Sequence, residues 1–575
     1  MKLRRGTRGF ARWSGQGRGR FFVALVALAT GSACDSTDTQ QPNARGSANL
    51  AERCEVKPPF TGHFQPELQW EWTGSPVLPT HKQVMMQPVV VDVNRDGTPD
   101  IVFSSFDGDF YNNEIKEQRN PNVDGVLRAI SGNNGAELWA VENSEHRVKP
   151  AASIAAGDID GDGAVEICGI PEDGRGIICF ENDGTFKFRS APDAYDYNEW
   201  GGPSLADLDG DGTVEILDGN RVYSNTGALK WVGSDGMGGA LFTGPVSFAV
   251  DLNHDGKQEV VNGRSVYRHD GVLKCTNTEI PHGFAAVGNF DSDPEGEIVV
   301  VGKGLEDTHG RVSLLDTNCA LLWTREVHLT GTDLPLHDKA GHGGAPNIGD
   351  FDGDGQLEIG LAGDWDYTVY GADGTVKWTF PIQEYSSGKT TSTTFDFEDD
   401  GRLEVIYADE LKLRIFDGVT GALRWETAHS SGTTHEFPIV ADVDGDGAAE
   451  IVTVENNHGA PGFNGVRVWH DKNEGWAGTR KIWNQHAYSV TNVNNDGTIP
   501  AQPASNWLNP KLNNFRSNVA NYFGEGPSPF AAADLLASDV TTSCDGYGSL
   551  VLGARVSNQG EAAVAAGVKV AFYKG

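Results

Sequence analysis

Residues 207–215 read Asp207-Leu208-Asp209-Gly210-Asp211-Gly212-Thr213-Val214-Glu215, and no other stretch constrains the architecture as strongly. Oxygen-bearing side chains stand at loop positions 1, 3, 5 and 9, and a short apolar run follows. Alternation at the first three sites aims their oxygens at one point when the chain curls. Glycine at position 6 permits the sharp turn. Carboxylates gathered within ~4 Å repel strongly at low effective dielectric, and a divalent cation relieves that repulsion. A donor set of hard oxygens without His or Cys selects Ca²⁺ over zinc or copper, and Mg²⁺ usually keeps several waters instead.

The pattern occurs eight times. The first loop is Asp92, Asn94, Asp96, Asp100, and the second is Asp158, Asp160, Asp162, Glu166. The third is Asp207, Asp209, Asp211, Glu215, and the fourth is Asp251, Asn253, Asp255, Glu259. The fifth, Asn289, Asp291, Asp293, Glu297, lacks the glycine at position 6 and is the weakest candidate. The sixth is Asp350, Asp352, Asp354, Glu358, the seventh Asp396, Glu398, Asp400, Glu404, and the eighth Asp442, Asp444, Asp446, Glu450. Up to about eight calcium ions are therefore expected. An EF-hand is excluded, because it needs a bidentate Glu at position 12 between two helices. Here that position holds Phe103, Gly169 or Thr453, and Asp218 in the third loop lies between Leu217 and Gly219.

Around each loop the order of apolar runs repeats. One short strand enters, as in Pro438-Ile439-Val440-Ala441, and one leaves, as in Ile451-Val452-Thr453-Val454. A third follows, and a glycine turn leads to a fourth, such as Leu423-Arg424-Trp425. Trp139, Trp231, Trp323 and Trp378 occupy the same place as Trp425, with Phe188 and Cys275 there in two units. Four short strands per ~45-residue unit make the blade of a β-propeller. Eight loops predict eight blades, or seven if the fifth unit is irregular. Leu68-Gln69-Trp70-Glu71-Trp72 precedes the first loop and reads as an orphan fourth strand able to complete the last blade. The tryptophans read as packing between blades.

These residues resemble the FG-GAP/VCBS repeats, whose best-known members form the calcium-binding propeller of integrin α subunits. The resemblance covers roughly residues 60–500 and is most specific in loops such as Gly349-Asp350-Phe351-Asp352-Gly353-Asp354-Gly355-Gln356-Leu357-Glu358-Ile359. It implies an all-β, calcium-binding propeller, assigned here to residues 61–480.

Residues 1–34 read as a lipoprotein-type signal peptide: basic from Lys2 to Arg20, apolar from Phe21 to Thr30, then Gly31-Ser32-Ala33-Cys34, with Cys34 as the lipidated residue. The apolar stretch is too short to span a bilayer. Residues 35–60 are a polar tether. Export permits disulfides. Cys168 and Cys179 flank a hairpin turn, Cys275 and Cys319 lie near equivalent strands of neighbouring units, and Cys54 and Cys544 are unassigned. Residues 481–529 read as a junction and linker containing a degenerate ninth loop, Asn492 to Gly497. Residues 530–575 resemble the start of a CARDB-like, immunoglobulin-type domain. Fewer than 50 residues remain for it, whereas such a sandwich needs ~100.

The net charge is −35, and removing the seven Lys and Arg of residues 1–34 makes it −42. Nucleic acid and anionic membrane surfaces are poor partners for such a chain, and contact with a membrane is expected only through the lipid at Cys34. Motifs for serine, zinc-dependent or phosphate-loop catalysis are not found. One constellation stands out: Trp200, His282, His342, Lys389 and His435 lie seven or eight residues before the first ligand of their loops. If the strand entering each loop is innermost, they gather at the channel mouth opposite the acidic loops, where they could bind a ligand. The sequence thus favours an exported, cell-surface binding or adhesion protein that recognises an extracellular protein or glycan. The alternative is an exported polysaccharide-degrading, lyase-like enzyme on an eight-bladed propeller.

Overall fold

The computed structural model describes residues 8–13, 64–108, 125–192, 197–198, 200–239, 244–291, 293–303, 309–327, 342–524, 535–544 and 550–558. The chain forms two compact units, one of residues 60–525 and one of residues 1–59 with 526–575.

The larger unit is an eight-bladed β-propeller. Seven blades run in chain order, beginning at Val89, Ala155, Ser204, Phe248, Gly283, Asn347 and Ser392. The first of them carries an added strand, His81–Gln83, along Asp100–Asp107. The eighth takes Ile439–Ala441, Glu450–Glu455 and Gly465–Asp471 and borrows Pro66–Trp72 as its outermost strand. The orphan strand therefore closes the ring, and the seven-blade option is excluded. First strands of most successive blades pack on one another, so the strand entering each acidic loop is the innermost. It is buried throughout in nearly every blade, whereas fourth strands such as Leu229–Val232 stand half exposed.

Adjacent blades are joined by a repeated contact. The indole N–H groups of Trp70, Trp139, Trp231, Trp323 and Trp378 donate to Gly132, Asn182, His269, Ala372 and Gly418 of the following blade, at 2.7–3.0 Å. Each indole packs against a turn glycine of that blade. A Cβ at Gly421 would stand 2.5 Å from Trp378, and φ there is +70°, so glycine is required twice over. Blade 4 has Cys275 at the tryptophan position and blade 5 has Cys319 (φ 62°) at the glycine position, and these two form a disulfide. A covalent link thus replaces the aromatic one. Cys168 and Cys179 pair across neighbouring strands of blade 2.

Residues 477–523, read from sequence mostly as a junction, lie inside the ring. The segment exchanges backbone hydrogen bonds with the innermost strands: Trp483 with Val90, Asn484 with Ala156, Phe515 with Ile348. It also reaches the acidic loops, through Arg480 to Asp442, Gly497 to Asp158 and Ser505 to Asp251. It contacts every blade: the eighth again through Asn518, the third through Gln485, the fifth through Asn506 and the seventh through Ser517. This plug lines the channel from the acidic loops to the innermost strands. Its Trp483 is fully buried and stacks on Tyr488.

In the smaller unit Leu550–Asn558 pairs with Leu535–Cys544 and with Arg8–Trp13, the latter within the stretch read as an export signal. Cys34, residues 35–60 and residues 559–575 of the stretch likened to a CARDB-like domain lie outside the described residues. Among the described residues no helix is long and apolar enough to cross a membrane.

Candidate metal loops and the opposite channel mouth

Every acidic loop joins the first and second strands of its blade, and its carboxylates hold the loop's own backbone. The position-9 acid accepts the N–H of position 2 in all eight loops at 2.8–3.2 Å, for example Glu358 from Phe351. The position-1 Asp accepts the N–H of position 6 in seven loops at 2.7–3.0 Å, for example Asp350 from Gly355. The fifth loop differs for a covalent reason. Its position 6 is Pro294, which has no N–H, and Asn289 instead donates to the Asp293 carbonyl at 2.6 Å.

In five loops three acids offer ligand atoms within 4.8 Å of one another and could hold a metal ion: Asp158, Asp160 and Glu166; Asp207, Asp209 and Asp211; Asp291, Asp293 and Glu297; Asp350, Asp352 and Glu358; Asp442, Asp444 and Glu450. The fifth loop, the weakest by sequence, is among them. Burial pushes the Asp100, Glu166, Glu297 and Asp442 carboxyls up to about 7 and Glu404 up to about 8. These are acids that resist ionising alone and would ionise beside a cation.

Cations already reach some of these loops from the fourth strand of the same blade. The Lys377 ammonium is 2.7 Å from both Asp352 and Glu358, and Lys187 binds Asp160 and Glu166. Lys230 pairs with Glu215, and Arg424 with Glu398 and Glu404. The signal for these basic residues is in the sequence: each directly precedes the aromatic position of its blade.

At the other end, the first strands begin among the five residues singled out by position. His342, Lys389 and His435 are buried together. His342 Nδ1 lies 3.5 Å from Asp364 Oδ1, and the positive charge of Lys389 acts on both histidines. The plug contributes His486, whose ring centroid is 5.2 Å from that of His435, and Arg516. Burial, then Lys389 and Arg516, pushes His435 down to about 3. Burial likewise pushes His486 well below the ordinary histidine range. Trp200 and His282 belong to other groups. Trp200 packs against Met85, Phe106 and Ala151. His282 Nε2 is 3.0 Å from the Asp235 carbonyl and 3.2 Å from its carboxylate. Burial acts to raise the Asp235 carboxyl, but hydrogen bonds from Arg264 and Ser265 outweigh it and hold the group at about 2. Sequence spacing does not reveal His486 or Arg516, because they lie outside the repeat.

Residues 158–217 and 396–453 match the FG-GAP-like repeat, so the chain carries FG-GAP-like repeats within its eight-bladed ring. No curated protein matches the chain. Among solved structures, the biofilm matrix protein Bap1 of V. cholerae is similar over 80% of this chain and 99% of its own, with 22% identity and a TM-score of 0.69. The exotype rhamnogalacturonan lyase YesX aligns over 71% of this chain and 75% of its own, at 16% identity and a TM-score of 0.47. The quinohemoprotein alcohol dehydrogenase of Comamonas testosteroni aligns over 70% and 76%, at 11% identity and a TM-score of 0.42. At these identities the likeness to Bap1 is one of fold.

Proposed function

We propose that the chain is an exported, calcium-stabilised surface binding protein that takes an extracellular protein or glycan at the channel mouth opposite its acidic loops. The observation that carries this reading is the polarity of the channel. At one end residues 477–523 bind the acidic loops, while at the other His342, Lys389 and His435 gather around the starts of the innermost strands, joined there by His486 and Arg516 of the same segment. Ca²⁺ suits the acidic loops because their donors are carboxylate, amide and backbone oxygens at the spacing that curls around a hard ion. Two disulfides belong to an oxidising compartment. Bap1 is a biofilm matrix protein, a setting that agrees with this one. A lipid on Cys34, followed by the polar residues 35–60, would hold the ring at the cell envelope.

The test is a glycan array and an extracellular-protein panel probed with the wild type and with the double variant His342→Ala/His435→Ala, in calcium. Binding by the wild type and its loss in a folded double variant are expected. Unchanged binding by the variant would discard the mouth as the site. Release of unsaturated products from acidic polysaccharides, read by ultraviolet absorbance, would replace adhesion with lyase activity.

A further inference from the structure

We propose that the channel holds a small oxyanion between Arg516 and His486 of the plug and His435 of blade 8. Arg516 is fully buried. Its guanidinium donates to the carbonyls of Pro346 at 2.7 Å and Ala285 at 3.2 Å, and its Nε meets no acceptor. Among the described residues no carboxylate pairs with it. A buried guanidinium met only by neutral carbonyls and the face of the Phe515 ring, 5.1 Å away, has no counter-charge, which is costly in a low-dielectric interior.

The imidazoles beside it are unsatisfied in the same direction. His435 is 1% exposed and neither ring nitrogen has a hydrogen-bond partner, and His486 Nδ1 has none. Buried polar groups in native proteins are nearly always paired, so several orphans in one place point to a bound ligand. Aromatic edges fix both rings, Phe284 5.3 Å from His435 and Phe437 5.1 Å from His486. Neutral imidazoles each carry one N–H donor. Two such donors and a guanidinium present the donor chemistry of an oxyanion site. A transition metal would use the same imidazoles, but Arg516 and the nearby Lys389 oppose a cation. Asp364 lies with His342, and burial alone, with no neighbouring charge, shifts the Arg516 guanidinium.

The oxyanion is either a free inorganic ion or the carboxylate of an acidic sugar entering from the mouth. Only the second form rests on the binding function proposed above. Full-length protein, dialysed against chloride in the presence of Ca²⁺, is titrated calorimetrically with sulfate and with glucuronate at constant ionic strength. Native mass spectrometry of the same sample reads any anion retained through dialysis. The expected result is one anion per chain, bound at least about tenfold more weakly by Arg516→Gln and by His435→Leu. Sulfate binding assigns a free ion, and glucuronate binding alone assigns the sugar. Thermal melts establish that each variant is folded, and His435→Leu stands on a different element should Arg516→Gln not fold. Absence of both saturable heat and added mass in the wild type overturns the proposal. Unchanged affinity in a folded His435→Leu protein overturns it as well.

Discussion

The two ends of the ring are built from the same strands and follow opposite rules. Within seven residues the chain passes from His435, neutral and enclosed, to Asp442, the first acid of a loop. At the loop end the chemistry repeats from blade to blade, down to the position-9 acid and its backbone partner. At the mouth the equivalent places hold five residues that do not repeat: Trp200 and His282 in groups of their own, and His342, Lys389 and His435 in a third. Repetition suits a task that every blade shares, which is folding the turn and fixing it to the next strand. Variation suits recognition, where each blade contributes a different group.

Calcium removal tests this division most severely. If the loops serve architecture, stripping the metal with EDTA should lower the melting temperature by ~10 °C or more, since each site near 100-fold saturation contributes ~2.7 kcal/mol. Calorimetry with and without calcium measures it. A melt unmoved by chelation would remove the distinction between the ends, because the acidic loops would then be surface turns.

The plug offers the next largest effect. Trp483→Ala empties a fully buried site stacked on Tyr488 at the centre of the ring. A loss of ~3–5 kcal/mol is expected for such a cavity, read by denaturant unfolding. A loss below ~1 kcal/mol would mean that residues 477–523 merely rest in the channel.

The sequence made one of these features visible and hid the other. The acidic loops, the eight-bladed ring and the closing strand at Leu68–Trp72 follow from short-range patterns repeated at regular intervals, whereas the two disulfides are only candidates until the strands that carry them are placed side by side. The plug has no such pattern. Its Asn484, Gln485, Asn506, Asn514 and Asn518 look like solvated loop residues, yet all are buried. Gln485, Asn506 and Asn518 are there because the innermost strands present edges with unpaired N–H and C=O groups, whereas the Asn484 and Asn514 side chains make no such contact. Side-chain amides donate and accept, so they can meet an edge of either kind. Asn518 reaches the Val440 carbonyl and Gln485 accepts from the Leu205 N–H. Polarity in this segment signals pairing with the strand edges, which becomes legible only once the ring is closed.

Titration separates the ends by sign. In the metal-free protein, burial raises Asp100, Glu166, Glu297 and Asp442 to about 7 and Glu404 to about 8, above their unfolded values. The folded state then binds more protons than the unfolded one, and stability falls as pH rises through that range. His435, lowered by burial, acts oppositely: its contribution is lost as pH falls from about 6.5 toward 3. Between pH 6.5 and 8 only the carboxylates operate. The melting temperature of the metal-free protein should therefore drop across this window, and saturating calcium should abolish the drop. A flat metal-free profile would show that the loop acids ionise freely without metal.

The finest comparison lies within the loop end itself, between the sixth and fifth loops. Asp350 accepts two backbone N–H groups, from Asp354 at 3.0 Å and Gly355 at 2.9 Å. The Asn289 side chain accepts only from the Asp291 N–H at 3.1 Å, because Pro294 offers no donor, and it donates to the Asp293 carbonyl. Asp350→Ala strands two donors and removes a charged ligand, so metal-free stability should fall by ~1–2 kcal/mol. One calcium should also disappear from the titrated stoichiometry. Asn289→Ala removes two neutral hydrogen bonds at an exposed turn and should cost ~0.5–1 kcal/mol without metal, and it should leave the stoichiometry intact if Asp291, Asp293 and Glu297 suffice to hold the ion. Equal losses in the two variants would show that position 1 has the same role in every loop, and that Pro294 changes only the path of the chain.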